Sequence, residues 1–185
     1  MMNDTAIRNY ATWARRELIA AVEKRCALFD IAPDAQANAD SIDGRVLSAD
    51  ERRQRRELLE AVRREGYEQL VERAAYTWFN RLLAIRFMEV NDRLPSHVRM
   101  LSAPGGGFKP QALAEAMDLP LENLDPARAA ELVQAGDDEA LFRLVFLAQC
   151  SELAACMPSV FDRVGSVSYT HLSRPLGERG AGPAG

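Results

Sequence analysis

The sequence predicts an all-α protein: an irregular multi-helix domain around a long apolar central helix, with a disordered C-terminal tail. Three observations carry this. Apolar residues recur at helical spacing along most of the first 156 positions, Ser, Asp and Pro stand where helix starts require them, and no stretch alternates as a half-buried strand would. No internal repeat is visible.

Residues 5–29 form the first predicted helix. Ile7, Tyr10, Ala11, Ala14, Leu18, Ala21, Val22 and Phe29 fall along one side of it. Asn3 or Asp4 can cap its start, and Pro33 marks its end. Residues 32–46, rich in Ala, Asp and Asn and containing Gly44, show neither period and read as an exposed connection without strand. Ser48-Ala49-Asp50-Glu51 has capping-box spacing, so a second helix runs from there to about Glu65. Gly66 interrupts, and a third helix covers residues 67–91. Its run from Ala74 to Val90 places apolar side chains around most of the circumference, as a helix packed on several sides needs.

Pro95 and Pro104-Gly105-Gly106-Gly107 close that section with a flexible loop. Short helices are expected at 110–117 and 126–134, each with proline at the first helical position and the second capped by Asp125. Asp137 or Asp138 then caps a longer helix, 139–156, whose apolar side carries Leu141, Leu144, Val145, Ala148 and Leu153. Residues 166–185 hold four of the 11 glycines and no helical period. The first seven of them, Ser-Val-Ser-Tyr-Thr-His-Leu, resemble translated adapter sequence. The expected organisation is a helical region over 1–165 and a non-native or disordered tail over 166–185.

A length of 185 residues suits one domain with a buried core. The net charge of -4 argues against a protein that coats nucleic acid nonspecifically, since phosphate binding draws on clustered cations. That average conceals an asymmetry: residues 1–100 carry 17 Lys and Arg against 16 Asp and Glu, and the remainder 6 against 11. Any polyanion contact belongs to the first half. Lys24 and Lys109 are the only lysines, a bias that fits GC-rich coding better than one chemistry. Cys26, Cys150 and Cys156 form no Cys-x-x-Cys pair, so neither a zinc site nor a disulfide framework is signalled. With no h-region after Met1 and no long apolar run, the expected location is the cytoplasm, with no membrane segment.

The candidate binding residues are Arg52, Arg53, Arg56, Arg63 and Arg64. On one helix, Arg52, Arg56 and Arg63 fall within about 40° of one another, with Arg53 and Arg64 flanking, a basic ridge suited to DNA phosphates. The competing reading is a solvated face in which Arg56, Glu60 and Arg64 form an i, i+4 ion-pair ladder, favoured because Glu57, Glu60 and Glu65 dilute the positive potential. Asn80, Arg81, Arg86, Glu89 and Asn91 interrupt the third helix and read as a structural network, with Arg86 and Glu89 at pairing distance. Trp13, Trp78 and Phe79 read as core. His97 and His171 are too isolated for a metal site or triad, and the three glycines at 105–107 follow no strand and lack a phosphate-loop ending. No catalytic, cofactor-binding or metal residue is identified.

Two stretches carry a family resemblance. Asn9-Tyr10-Ala11-Thr12-Trp13-Ala14-Arg15-Arg16-Glu17-Leu18-Ile19, with the six residues before it, and the strings Gly66-Tyr67-Glu68-Gln69, Ala75-Tyr76-Thr77-Trp78-Phe79-Asn80-Arg81-Leu82 and Arg86-Phe87-Met88-Glu89-Val90-Asn91 resemble the opening of the PglX family. These are adenine-specific DNA methyltransferases of bacterial BREX phage-exclusion systems. A weaker likeness continues through Leu141-Phe142-Arg143 and Gln149-Cys150 to about Gly165.

The resemblance implies an N-terminal helical piece of a much longer enzyme whose methyltransferase domain follows. S-adenosylmethionine is the cofactor implied for the full-length enzyme and none for this chain, because a cofactor-binding glycine turn after a strand and an Asn-Pro-Pro-Tyr type motif are both missing. Asp125-Pro126-Ala127 is the nearest approach, and it reads as a helix start. The implied partners are the methyltransferase domain of the same polypeptide, DNA through the full-length protein, and other BREX components. The rival function is a noncatalytic interaction or DNA-backbone-binding module unrelated to methylation.

Overall fold

A computed structural model describes residues 4–161 apart from Phe108. The expected tail at 166–185, its His171, the boundary at 165 and the Asn3 cap lie outside those residues. Among them are seven α-helices and one minimal hairpin: α1 Asp4–Leu28, β1 Ser41–Ile42, β2 Arg45–Val46, α2 Ala49–Glu65, α3 Tyr67–Val90, α4 Gln111–Ala114, α5 Pro126–Ala135, α6 Asp138–Cys156 and α7 Pro158–Phe161. The all-α class is borne out. The chain divides between Phe79 and Asn80 into two compact units.

In the first unit, α1 stops because Asp30 turns into the left-handed region at φ 48°. Its C-terminal half and the residue after it deliver Val22, Cys26 and Phe29 to a core shared with Leu58, Leu59 and Val62 of α2 and Leu70, Val71 and Ala74 of α3. Ser48 begins α2 through the predicted capping box: its Oγ accepts from Glu51 N–H at 3.2 Å, and Glu51 Oε2 accepts from Ser48 N–H at 2.8 Å. Gly66, at φ 92°, separates α2 from α3 in a conformation that a side chain would strain.

Four expectations are corrected here. The connection over 32–46 contains an antiparallel hairpin, Ser41 opposite Val46 and Ile42 opposite Arg45, because Asp43 and Gly44 both take positive φ and reverse the chain in two residues. The apolar side of α1 is buried only towards its end: Ala14, Val22 and Phe29 are covered, whereas Ile7, Tyr10 and Trp13 are 45, 61 and 51% exposed. Trp13 is thus not a core residue. Nor is α3 apolar and enclosed on all sides: Leu70, Ala74 and Ile85 are buried, while Tyr76, Leu83, Phe87 and Val90 face solvent. Trp78 and Phe79 are half-buried.

The fourth correction falls in the second unit, where α4 is a single turn, Gln111–Ala114. Pro110 sits before it with an extended ψ of 141° rather than at its first helical position. The segment at 104–106, expected as loop, forms a 3-10 turn, and α7 follows α6 unpredicted. Asp125 and Asp137 cap α5 and α6 as expected, each carboxylate accepting backbone N–H bonds. The helix that α4, α5 and α7 share is α6, which buries Leu141, Val145, Phe146, Gln149 and Leu153.

Candidate functional site

The arginine ridge lies on the solvent side of α2. Arg53, Arg56, Arg63 and Arg64 are exposed and Arg52 is half-buried. Neighbouring carboxylates already occupy three of them: Arg52 meets Asp40 at 3.2 Å, Arg53 meets Asp50 at 3.0 Å, and Arg64 approaches Glu65 at 3.8 Å. Exposed pairs of this kind contribute about 0–1 kcal/mol, so they open readily for another anion. Among the described residues, Arg56 and Arg63 make no ion pair. The alternative ladder of Arg56, Glu60 and Arg64 is therefore absent; a gain of a few tenths of a kcal/mol per exposed pair does not hold three long side chains in line.

The most extensively hydrogen-bonded arginine of α2 lies outside the ridge. Arg55 is 2% exposed and lies in the buried stripe of α2, between Leu58 and Val62 on one side and Leu59 on the other. Its Nε donates to Phe29 O at 2.9 Å, Nη1 to Gln36 O, and Nη2 to both Asp30 O at 2.9 Å and Asp30 Oδ2 at 2.6 Å. This fork fastens the α1–α2 connection to α2. The guanidinium groups of Arg25 and Arg45 stand over the Phe29 ring, at 5.1 and 5.9 Å from its centre. Arg55 is a structural clamp with no free donor face for a phosphate. The sequence does carry a signal for it: a cation at position i followed by apolar residues at i+3, i+4 and i+7.

The expected Arg86–Glu89 pair forms, and it anchors a loop. Glu89 also accepts from Ser102 Oγ at 2.6 Å and from Leu101 N–H at 2.7 Å, and Arg86 donates to Ser102 Oγ at 3.2 Å. Burial would raise this carboxyl, but the Ser102, Leu101 and Arg86 hydrogen bonds outweigh it and hold Glu89 below the ordinary carboxylate range. Glu51 is lowered in the same balance, burial opposed by its bonds from Ser48 and Arg45. Arg81 is buried and donates to Phe161 O at 3.3 Å.

A cleft of about 370 Å³ opens beside the end of α3, lined by Glu89, Val90, Asp92, Leu94, His97, Val98 and Arg99. His97 Nδ1 stands 3.4 Å from Asp92 Oδ1, but both side chains are exposed and the neighbouring Ser96 hydroxyl donates to Gln149. A His–carboxylate pair without a nucleophile in reach specifies no reaction. Among the described residues, no three His, Cys, Asp or Glu side chains are grouped to hold a metal ion, and no helix is long and apolar enough to cross a membrane.

S-adenosylmethionine does not fit these residues. The only strand followed by a glycine turn among them returns at once as β2, so no helix N-terminus faces it, and a Cβ built on Gly44 would meet nothing within 4 Å.

The described residues thus form a helical segment with an arginine-bearing face and no assembled reaction centre. Its relatives are adenine-specific methyltransferases. The chain is 37% identical over 180 residues to the adenine-specific methyltransferase BrxX of Escherichia coli O9:H4 (strain HS), covering 88% of this chain and 15% of that protein. It is 31% identical over 188 residues to the adenine-specific methyltransferase PglX of Lacticaseibacillus casei (strain Zhang), covering 88% of this chain and 16% of that protein. No protein-family profile matches the chain. The resemblance carried by residues 3–19 and 66–91 is borne out, and the chain spans about one sixth of the length of the curated relatives it matches.

Proposed function

We propose that this chain is the N-terminal helical segment of a site-specific adenine DNA methyltransferase of a bacterial BREX phage-defence system. The full-length enzyme transfers the methyl group of S-adenosylmethionine to N6 of adenine in the cytoplasm, and this segment packs against the methyltransferase portion of the same polypeptide. One observation carries the reading: similarity runs through 88% of the chain, yet covers only 15–16% of each methyltransferase. Chemistry on a base needs a cofactor cradle and a pocket for the flipped nucleotide, and both belong to the remaining sequence. Extending the reading frame in its genome tests this. A methyltransferase region with an Asn-Pro-Pro-Tyr type motif, among other BREX genes, is expected; a frame without one sinks the proposal.

A second role rests on the exposed ridge. Arg56 and Arg63, free of acidic partners among the described residues, would touch DNA phosphates, with Arg52, Arg53 and Arg64 joining as their weak pairs open. Removing one phosphate-binding arginine lowers the steepness of the salt dependence by about 1. The double variant Arg56→Ala/Arg63→Ala in the full-length enzyme should therefore lower that slope by about 2 without changing the methylated sequence. An unchanged slope would assign the ridge to solvent.

A further inference from the structure

Large apolar side chains on a surface call for an explanation when they line up, and they do so on the second-unit portion of α3. Leu83, Phe87 and Val90 are 55, 66 and 65% exposed, and their 4-3 spacing stacks them on one side of the helix over two turns, about 10 Å. Val90 also belongs to the wall of the 370 Å³ cleft, so the stripe runs into a depression that Leu94 and Val98 also line. The exposed charges around it lean positive, with Asp92 of the cleft wall, 3.4 Å from His97, the carboxylate among them. Arg93 and Arg99 are exposed without an acidic partner among the described residues, and Arg86, half in solvent, is paired with Glu89. Glu89 is consumed internally by Arg86, Ser102 and Leu101.

We infer that this face receives an amphipathic helix with carboxylates flanking its apolar anchors, contributed by the part of the methyltransferase polypeptide outside this segment. The inference rests on the functional reading above. Leucine, phenylalanine and valine at this spacing are the anchors a helix-in-groove contact uses, and the arginine border selects acidic flanks. A second copy is disfavoured on two grounds. A two-fold contact would set the arginine border against itself. Two turns of apolar stripe and a small cleft also fall well short of the ~1,000 Å² that a free-standing interface needs. A tethered partner is not held to that limit, because covalent connection raises its effective concentration to about millimolar. The matched relatives, of which this segment covers 15–16%, have ample sequence to provide it.

A photo-crosslinking amino acid separates the occupants. Phe87→p-benzoylphenylalanine is introduced into the full-length polypeptide, with Arg53→p-benzoylphenylalanine as the exposed control, and crosslinked peptides are mapped by mass spectrometry. The expected product has the mass of one chain and joins position 87 to an acid-flanked helical peptide outside these 185 residues, at several times the control yield. A product of doubled mass, or a yield equal to the control, would overturn the docking face. Methylation by the unsubstituted polypeptide reports separately on the reading beneath: an active enzyme without the crosslink rejects the face alone, and an inactive one rejects the methyltransferase assignment.

Discussion

Arg55 shows how one buried cation organises a connection. It occupies a place in the apolar stripe of α2 that a leucine would otherwise fill, and it is tolerated because Phe29, Asp30 and Gln36 supply carbonyl acceptors to its whole fork. The Asp30 carboxylate is half in solvent and adds little; the carbonyls would be left unsatisfied by truncation. Arg55→Ala should therefore destabilise the protein by about 3 kcal/mol in urea unfolding, with Arg55→Lys recovering little because an ammonium cannot span three acceptors. Arg53→Ala, two positions away, should stay within about 0.5 kcal/mol. The thiols make a second test at this scale. Burial pushes Cys26 up to about 11, against an opposing bond with Tyr67, and pushes Cys150 up to about 12, while Cys156 is exposed. At pH 8 roughly one Cys26 in a thousand is thiolate. Ellman's reagent should modify only Cys156 rapidly in the folded protein, with Cys26 and Cys150 following on unfolding.

At the scale of elements, what the sequence made legible was whatever is decided within a few residues. Ser48 with Glu51, Asp125 with Pro126, and Asp137 fix helix starts by hydrogen bonds to their own neighbours, and each was readable from spacing. Ser48→Ala should cost about 1 kcal/mol, since one orphan N–H loses its acceptor. Periodicity showed that α1 and α3 are helices, but it could not say what covers them: Trp13 and Phe87 sit in apolar patterns as regular as that of Val62, and remain in solvent. Asp43-Gly44 is a recognisable hairpin turn, but the strands it joins are two residues long, too short to show alternation. The Glu89 network, legible only as an i, i+3 pair, ties α3 to Leu101 and Ser102 through partners 12 and 13 residues away. Its carboxyl titrates below the unfolded value near 4.3, so the stability it contributes is present above that pH and is lost as pH falls through its lower folded value. Glu89→Gln should cost about 1–3 kcal/mol at pH 7, and the gap to the parent should narrow below about pH 4. A gap independent of pH would show that the carboxylate charge is not what anchors the loop.

On the scale of the whole molecule, the proposed function gives the arginine face and the apolar stripe of α3 one explanation: both would be surfaces of one part of a longer methyltransferase. The sequence alone carried that reading through the strings at 66–69, 75–82 and 86–91, because family identity resides in residue order, which periodicity and composition do not record. The candidate site was less legible. Five arginines were visible as a ridge, but three are engaged by acids, one of them contributed by Asp40 from the connection before β1. If cofactor chemistry lies outside this segment, calorimetric titration with S-adenosylmethionine will separate the 185-residue chain from its full-length polypeptide. Saturable one-site binding by the full-length polypeptide and no binding heat for the segment are expected. Saturable binding by the segment, or none by the full-length polypeptide, would contradict that placement.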